Sequence, residues 1–310
     1  MFKFNKLVLA TLATAALAGS AFAQGSGKTI GVAVPNLQAD FFNIIKQGID
    51  TYGKEKGYKV VVVDAKNDAA TQVNQIQDLI SQKIDALVYI PAGATAAAVP
   101  VRAARKAGIP VINVDRNVDS DPGDTFIYGR SVAATTELGK WVCDKTGGKG
   151  TAVMIHGQRG TTPEKERTEG FTAGLASCGI KISQHQWTER WAADEGNRIA
   201  QDMLQRDPNI SIIIGQADGI AMGASQAVKL AKPKQKVWVV GFDGDPGALV
   251  AMKNSGTLDA TATQQTWTMG KMAVDAVTDL LAGKTVPKDQ PTDARVTTKE
   301  NVDQFIKQHP

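Results

Sequence analysis

The chain has 310 residues, is 43% hydrophobic and carries a formal net charge of +4, from 35 Lys and Arg against 31 Asp and Glu. That length fits two domains of roughly 100–150 residues, each with ample core. No basic block or stripe stands out, so nucleic acid is not implied, and the sequence has neither low-complexity segments nor the short tandem repeats of a solenoid.

The first 23 residues read as an export signal. Lys3 and Lys6 make a basic start, residues 7–17 (LVLATLATAAL) are apolar, and Ala21-Phe22-Ala23 is a small-x-small cleavage site before Gln24. The apolar run is too short to span ~30 Å of hydrocarbon as an anchor. Cleavage after Ala23 leaves residues 24–310, with a formal charge of +2 once Lys3 and Lys6 are gone. The expectation is a soluble protein outside the cytoplasm, in the periplasm.

From Thr29 onward apolar runs alternate with amphipathic stretches. TIGVAV (29–34) predicts a strand, and 40–56 a helix with Phe41, Ile45, Ile49 and Tyr52 on one face. Strands follow at 59–64, 85–90 and 110–115, separated by helices at 70–83 and 94–107. The βαβαβαβ order implies a parallel sheet covered on both faces. The pattern then restarts. Helices are predicted at 132–146, 164–177, 194–206, 218–231, 245–255 and 266–282, with strands at 151–155, 182–187, 210–215, 237–243 and 259–264. A short extended segment near 294–297 precedes a last helix. The fold class is therefore α/β, with two similar doubly wound parallel-sheet domains.

Two of these strands, far apart in sequence, stop abruptly at an aspartate. IPVINVDR ends at Asp115-Arg116, and KVWVVGFDG runs through Phe242-Asp243. Polar groups at the carboxyl ends of parallel strands face the crevice where α/β proteins bind ligands. Two such ends, on two halves of one chain, suggest a site assembled between the halves. A carboxylate only accepts hydrogen bonds and a guanidinium only donates them, whereas a sugar hydroxyl does both. Asp115 beside Arg116 can therefore satisfy neighbouring hydroxyls with charge-assisted bonds. Phe41, Phe42, Trp191 and Phe242 are candidates to pack on the C–H faces of a sugar ring, with core packing as the alternative for each.

Enzyme signatures are weak. No GxGxxG follows a strand, Gly283-Lys284-Thr285 lacks the first glycine of a phosphate loop, and Ser225 lacks the second glycine of a nucleophile elbow. Asp115, Asp218 and Asp243 all follow strands and could form a glycosidase pair, or could simply accept ligand hydroxyls. His156, His185 and His309 show no ligand spacing, so neither zinc nor any cofactor is expected. Cys143 and Cys178, an isolated pair in an oxidising compartment, predict a disulfide, against a metal site or two buried thiols.

The motifs ADFF (39–42), GYKVVVVDAKND (57–68), GIPVINVDR (108–116), ERTEGF (166–171), ADGIAMGA (217–224) and VVGFDG (239–244) resemble those of the periplasmic sugar-binding proteins of ABC importers, in the ribose-binding group. These are relatives of the ligand-binding cores of lac-type repressors, and the resemblance covers essentially the whole chain after residue 23. It implies the type I periplasmic binding fold, with two lobes joined by three crossovers near Gly129–Arg130, Gln264–Gln265 and Asp293–Ala294. Residues 24–129 with 265–293 would form one lobe, and 130–264 with 294–310 the other.

The resemblance also implies a ligand set of Phe41, Phe42, Asp115, Arg116, Arg167, Trp191, Phe242, Asp243 and Gln264. Trp191 stands where the ribose-binding group has a phenylalanine. Other positions depart from that pattern. Pro35 replaces a serine, Ala39, Ile90 and Ala217 replace asparagines, and Ala193 replaces an arginine. A buried ligand hydroxyl without a partner costs ~1–3 kcal/mol. Either the ligand differs from ribose, or Gln158, Arg159, Arg130 or Tyr89 supplies the lost contacts. The implied function is capture of a monosaccharide or polyol and its delivery to an ABC permease in the inner membrane. The alternative partner is a chemoreceptor that reads the closed form. The leader ahead of Thr29, where a regulator would carry a helix-turn-helix, argues strongly against a transcription regulator, and a monomer is expected.

Overall fold

The computed structural model describes residues 27–307; the leader and its cleavage site, and His309, lie outside the described residues. Two six-stranded sheets organise the chain. The first contains β1 (Thr29–Val34), β2 (Lys59–Asp64), β3 (Ala86–Tyr89), β4 (Val111–Val114), β5 (Thr125–Gly129) and β11 (Asp289–Thr292), in the order β11-β5-β4-β3-β1-β2 and all parallel. The second contains β6 (Thr151–His156), β7 (Ile182–Trp187), β8 (Ile210–Gly215), β9 (Trp238–Val240), β10 (Ala260–Thr263) and β12 (Arg295–Thr298), in the order β12-β10-β9-β8-β6-β7. Only its edge strand β12 runs antiparallel.

Helices cover both faces of each sheet, as the βα alternation demands. On the first sheet, α1 (Asp40–Glu55) and α9 (Thr266–Leu281) bury Phe42, Ile45, Ile49, Ala273 and Val277 on one face. On the other face α2 (Ala69–Ser81) and α3 (Ala98–Lys106) bury Ile76, Leu79 and Val101. The second sheet is flanked by α4 (Ser131–Thr146) and α5 (Thr162–Ala176) on one face. Its other face carries α6 (Ala193–Arg206), α7 (Asp218–Ala231), α8 (Pro246–Ser255) and α10 (Val302–Ile306). Strands β3 and β4 are buried along their whole length, which is why they read as continuous apolar runs.

The chain passes between the sheets from β5 to α4, from β10 to α9, and from β11 to β12. Strands β5 and β11 run side by side: Arg130 N–H donates to Thr292 O at 2.9 Å, and the Arg130 guanidinium meets Asp293 at 3.3 Å.

Four elements differ from expectation, the first being β9, which ends at Val240 rather than running to residue 243. Helix α3 starts at Ala98, not near residue 94. Pro100 has no N–H and is tolerated only in a first turn, so an earlier start would place it in the helix interior. Strand β5 (TFIYG) has no long apolar run to announce it. Strand β11 (DQPT) has no apolar alternation and carries Pro291, which suits an edge. The expected Cys143–Cys178 disulfide joins α4 to the end of α5, with a Cα–Cα distance of 5.9 Å.

Candidate functional site

A cavity of about 370 Å³ lies between the two halves, at the carboxyl ends of both sets of strands. Of the residues expected from the sequence, Phe41, Phe42, Asp115, Arg116, Arg167, Trp191 and Asp243 line it. The halves touch around it: Asn117 N–H donates to Thr162 Oγ1 at 3.0 Å, and Lys165 Nζ meets Asp119 at 2.9 Å.

Three cavity residues carry strained backbone. Asp115 sits at φ 59°, Trp191 at 60° and Asp243 at 126°, in the region that favours glycine. At Asp115 the strain follows from a tight turn off the end of β4. Asp115 N–H still pairs with Ile127 O at 2.8 Å, and Arg116 N–H folds back onto Val114 O at 2.6 Å. This turn aims adjacent opposite charges into one crevice.

The charged groups form a chain across the cleft. Arg167 Nη2 lies 3.1 Å from Asp243 Oδ1 and 4.0 Å from Asp115 Oδ1. Arg116 Nε lies 3.8 Å from Asp115 Oδ2. Carbonyls orient both guanidiniums: Arg167 Nη1 donates to Gln216 O at 2.6 Å, and Arg116 Nη1 to Pro91 O at 2.8 Å. Aromatic rings sandwich them. The Arg116 guanidinium lies 5.3 Å from the Phe42 ring and 5.6 Å from Trp191, and that of Arg167 5.4 Å from Trp191 and 4.0 Å from Phe242. Trp191 therefore faces Phe42 across Arg116.

Burial shapes the titration of these groups. It raises Asp243 to about 7, outweighing the opposing charge of Arg167, with Asp218 and Asp115 raising it further. Burial also raises Asp115 against Arg167 and Arg116, and lowers Arg116 to about 10. Arg116 Nε, Arg167 Nε and Trp191 Nε1 are buried without acceptors. Buried donors of this kind are costly unless something supplies oxygen atoms to them.

Three expected residues do not line the cavity. Phe242 is fully buried and forms the floor beneath Arg167. Gln264 stands behind Asp243 and donates to its Oδ1 at 3.1 Å. Gln158 lies with its side chain against Gly93 of the other half. Nor do the suggested replacements line it: Arg159 stacks on Trp187 at 3.6 Å, Arg130 pairs with Asp293, and Tyr89 is buried with its hydroxyl on Ala97 O.

Asp218 is a brace rather than a cavity acid. Its carboxylate accepts from Gly244 N, Asp245 N and Thr261 Oγ1 at 2.6–2.9 Å, which fixes the loop that presents Asp243. The sequence reading also missed Asp40, Arg190 and Asp245, which line the cavity. Asp40 adjoins Phe41, and Asp245 lies two residues past Asp243 before Pro246 at a helix start; that adjacency was the available signal. His156 and His185, unremarkable in sequence, meet at 2.8 Å beside Glu164 and Trp187. Among the described residues no group of His, Cys, Asp and Glu is arranged to hold a metal ion.

Gly157 sets the depth of the cavity wall. A Cβ there would fall 2.0 Å from the Trp191 ring, which lies directly on the glycine. Gly157→Ala should push the indole toward the ligand and weaken binding by about tenfold, as overpacking of ~1–3 kcal/mol implies. Titration calorimetry of that variant checks this. Unchanged affinity would mean the indole does not bound the ligand.

Two α/β lobes with a charged, aromatic-walled cavity between them define a type I periplasmic binding protein. Residues 30–285 match the family model described as periplasmic binding protein domain. The chain is 32% identical to the ribose import binding protein of Bacillus subtilis over 84% of each chain. It is 33% identical to the xylitol-binding protein of Mycolicibacterium smegmatis, over 94% of this chain and 83% of that one. An ABC transporter solute binding protein from Bacillus halodurans, solved with bound myo-inositol, superposes with a TM-score of 0.84 at 26% identity, covering 92% of this chain and 99% of the other. The chain belongs to the periplasmic binding protein family.

Proposed function

We propose that this protein is a periplasmic solute-binding protein that captures a monosaccharide or polyol between its lobes and delivers it to an ABC permease. The observation that carries this reading is the pairing of Asp115-Arg116 from the first half with Arg167 and Asp243 from the second around one cavity. Acceptor-only and donor-only groups side by side match vicinal hydroxyls, and Phe42 and Trp191 offer apolar faces for ring C–H groups. The cavity volume is at the small end of the ~300–1,000 Å³ common for ligand pockets, which suits a single ring. The ribose- and xylitol-binding relatives support the same class.

The mechanism is a population shift. The three passages at 129–130, 264–265 and 293–294 act as the hinge, and a ligand that touches both lobes favours the closed form. No bond is made or broken. The leader, cleaved after Ala23, delivers a monomer to the periplasm, where the closed form meets the permease.

A thermal-shift screen against pentoses, hexoses and polyols tests the reading. A ligand present at 100 times its Kd adds ~2.7 kcal/mol of stability. Clear stabilisation by at least one member is expected; a flat response across the set, repeated by calorimetry, would contradict it.

Proton linkage gives an independent check. Asp243 faces Arg167, Asp115, Asp218, Asp245 and Gln264, and is held at about 7. Ligand hydroxyls that donate to it favour its charged form, so binding should release a proton. Affinity should rise with pH from about 5 to 7 and flatten above. Calorimetry in buffers of different ionisation enthalpy reads this directly; proton uptake on binding would remove Asp243 as an acceptor.

A further inference from the structure

Trp191 walls the cavity from a strained backbone. Its φ is 60°, a region costly for a bulky side chain, and its ring lies directly on Gly157. Such strain persists only where the surroundings over-determine it. The loop 188–192 that carries Trp191 is held at both ends. At its start the buried Thr188 donates its N–H and its Oγ1 to His156 O, at 3.0 Å and 2.9 Å. At its far end it enters α6 through Ala192, an N-cap with no side-chain hydrogen bond to offer.

The middle of the loop is held by Glu195. Its carboxylate accepts from Glu189 N–H on Oε1 at 3.1 Å and from Arg190 N–H on Oε2 at 2.9 Å. Glu195 occupies the third position of α6, where a capping-box glutamate reaches back to the N-cap N–H. Here it reaches past the N-cap to the two residues that precede Trp191, one oxygen to each. Charge-assisted bonds to two consecutive N–H groups fix the peptide planes that lead into Trp191. The Arg190 side chain has a nearer partner: its guanidinium lies 2.6 Å from Asp194 and 3.9 Å from Glu195. Glu195 itself does not line the cavity.

Resting on the solute-binding reading above, we propose that Glu195 is a positioning residue of the cavity: by fixing Glu189 and Arg190 it holds the Trp191 backbone in its left-handed conformation and the indole against Gly157, where it bounds the ligand. Without the carboxylate the loop relaxes toward negative φ at Trp191, and the indole leaves the glycine. Glu189 and Arg190 are exposed, so water can take over the two freed N–H groups and the second lobe keeps its fold.

Fluorine NMR of the unliganded protein labelled with 5-fluorotryptophan reads the indole directly, with the Trp191 signal assigned by Trp191→Phe. In Glu195→Ala that signal should shift or broaden, while those of Trp141, Trp238 and Trp267 stay in place. Glu195→Gln keeps one acceptor oxygen and should show a smaller change in the same direction. Calorimetry with ribose, xylitol and myo-inositol supplies the second readout. For whichever of them the parent binds, Glu195→Ala should cost about tenfold in affinity, but less than about twofold in a Trp191→Ala background, because a residue that acts through the indole then has nothing to act on. An unmoved Trp191 signal in Glu195→Ala, or an equal loss of affinity with and without the indole, would overturn the proposal. Should every tryptophan signal move in Glu195→Ala, Glu195→Gln decides: a Trp191 change that spares Trp141, Trp238 and Trp267 supports positioning, and any other pattern overturns it. Failure of the parent to bind all three compounds would count against the solute-binding reading, and the fluorine spectra would still decide the role of Glu195.

Discussion

Arg167→Ala is expected to lower ligand affinity by about 10²–10³-fold, in line with the ~3–5 kcal/mol that follows removal of one partner from a buried charge network. Arg167 lies between the carboxylates of both halves, 3.1 Å from Asp243 and 4.0 Å from Asp115. It also stacks on Phe242 and is anchored to Gln216 O. Without it, two buried carboxylates face one another with Arg116 as the remaining cation, and burial then favours their protonated forms. The hydroxyl acceptors and a donor are lost together. Arg167→Lys keeps the charge but not the planar fork, and should fall between the two. Thermal melts of the unliganded variants separate a binding defect from a folding one. Affinity for Arg167→Ala within about threefold of the parent would show that the cleft is not organised around this guanidinium.

The second large effect concerns the second lobe. Cys143→Ser with Cys178→Ser removes a bridge across a sequence separation of 35, worth ~4 kcal/mol in the chain-entropy model. For a unit of this size that corresponds to a fall of roughly 10 °C in the melting temperature. The bridge staples the far ends of α4 and α5, whereas Arg167 lies toward the start of α5, so affinity below the melting transition should change little. Reduction of the parent protein should reproduce the shift. Equal melting temperatures for the oxidised and reduced protein would contradict this account of the bridge.

The fold was legible wherever burial on two faces wrote itself into the sequence. Strands β3, β4 and β8 are apolar runs because helices cover both their faces, and the amphipathic stretches between them named those helices. The elements missed were those held by neighbours rather than by their own pattern. Strand β11 pairs with β5 through backbone bonds that do not depend on side-chain pattern, so DQPT carried no signal. The start of α3 was legible in Pro100 but overridden by the apolar pattern around it.

For the site, the strand-end aspartates with their neighbours located the cleft. The division of roles within it depends on side-chain direction. Phe242 and Asp243 are adjacent, yet one is the floor beneath Arg167 and the other lines the cavity. Gln264 supports Asp243 from behind for the same reason. Asp218 resembled Asp243 in sequence context, and only the three donors around its carboxylate distinguish a brace from a contact.

A crystal structure of the protein with the tightest-binding sugar or polyol tests the central claim most directly. The account predicts one ring in the cavity between the sheets, with hydrogen bonds of about 2.6–3.2 Å to Asp115 and Arg116 from one half and to Arg167 and Asp243 from the other. A ligand seated outside this cavity, or held by residues of one half alone, would contradict it.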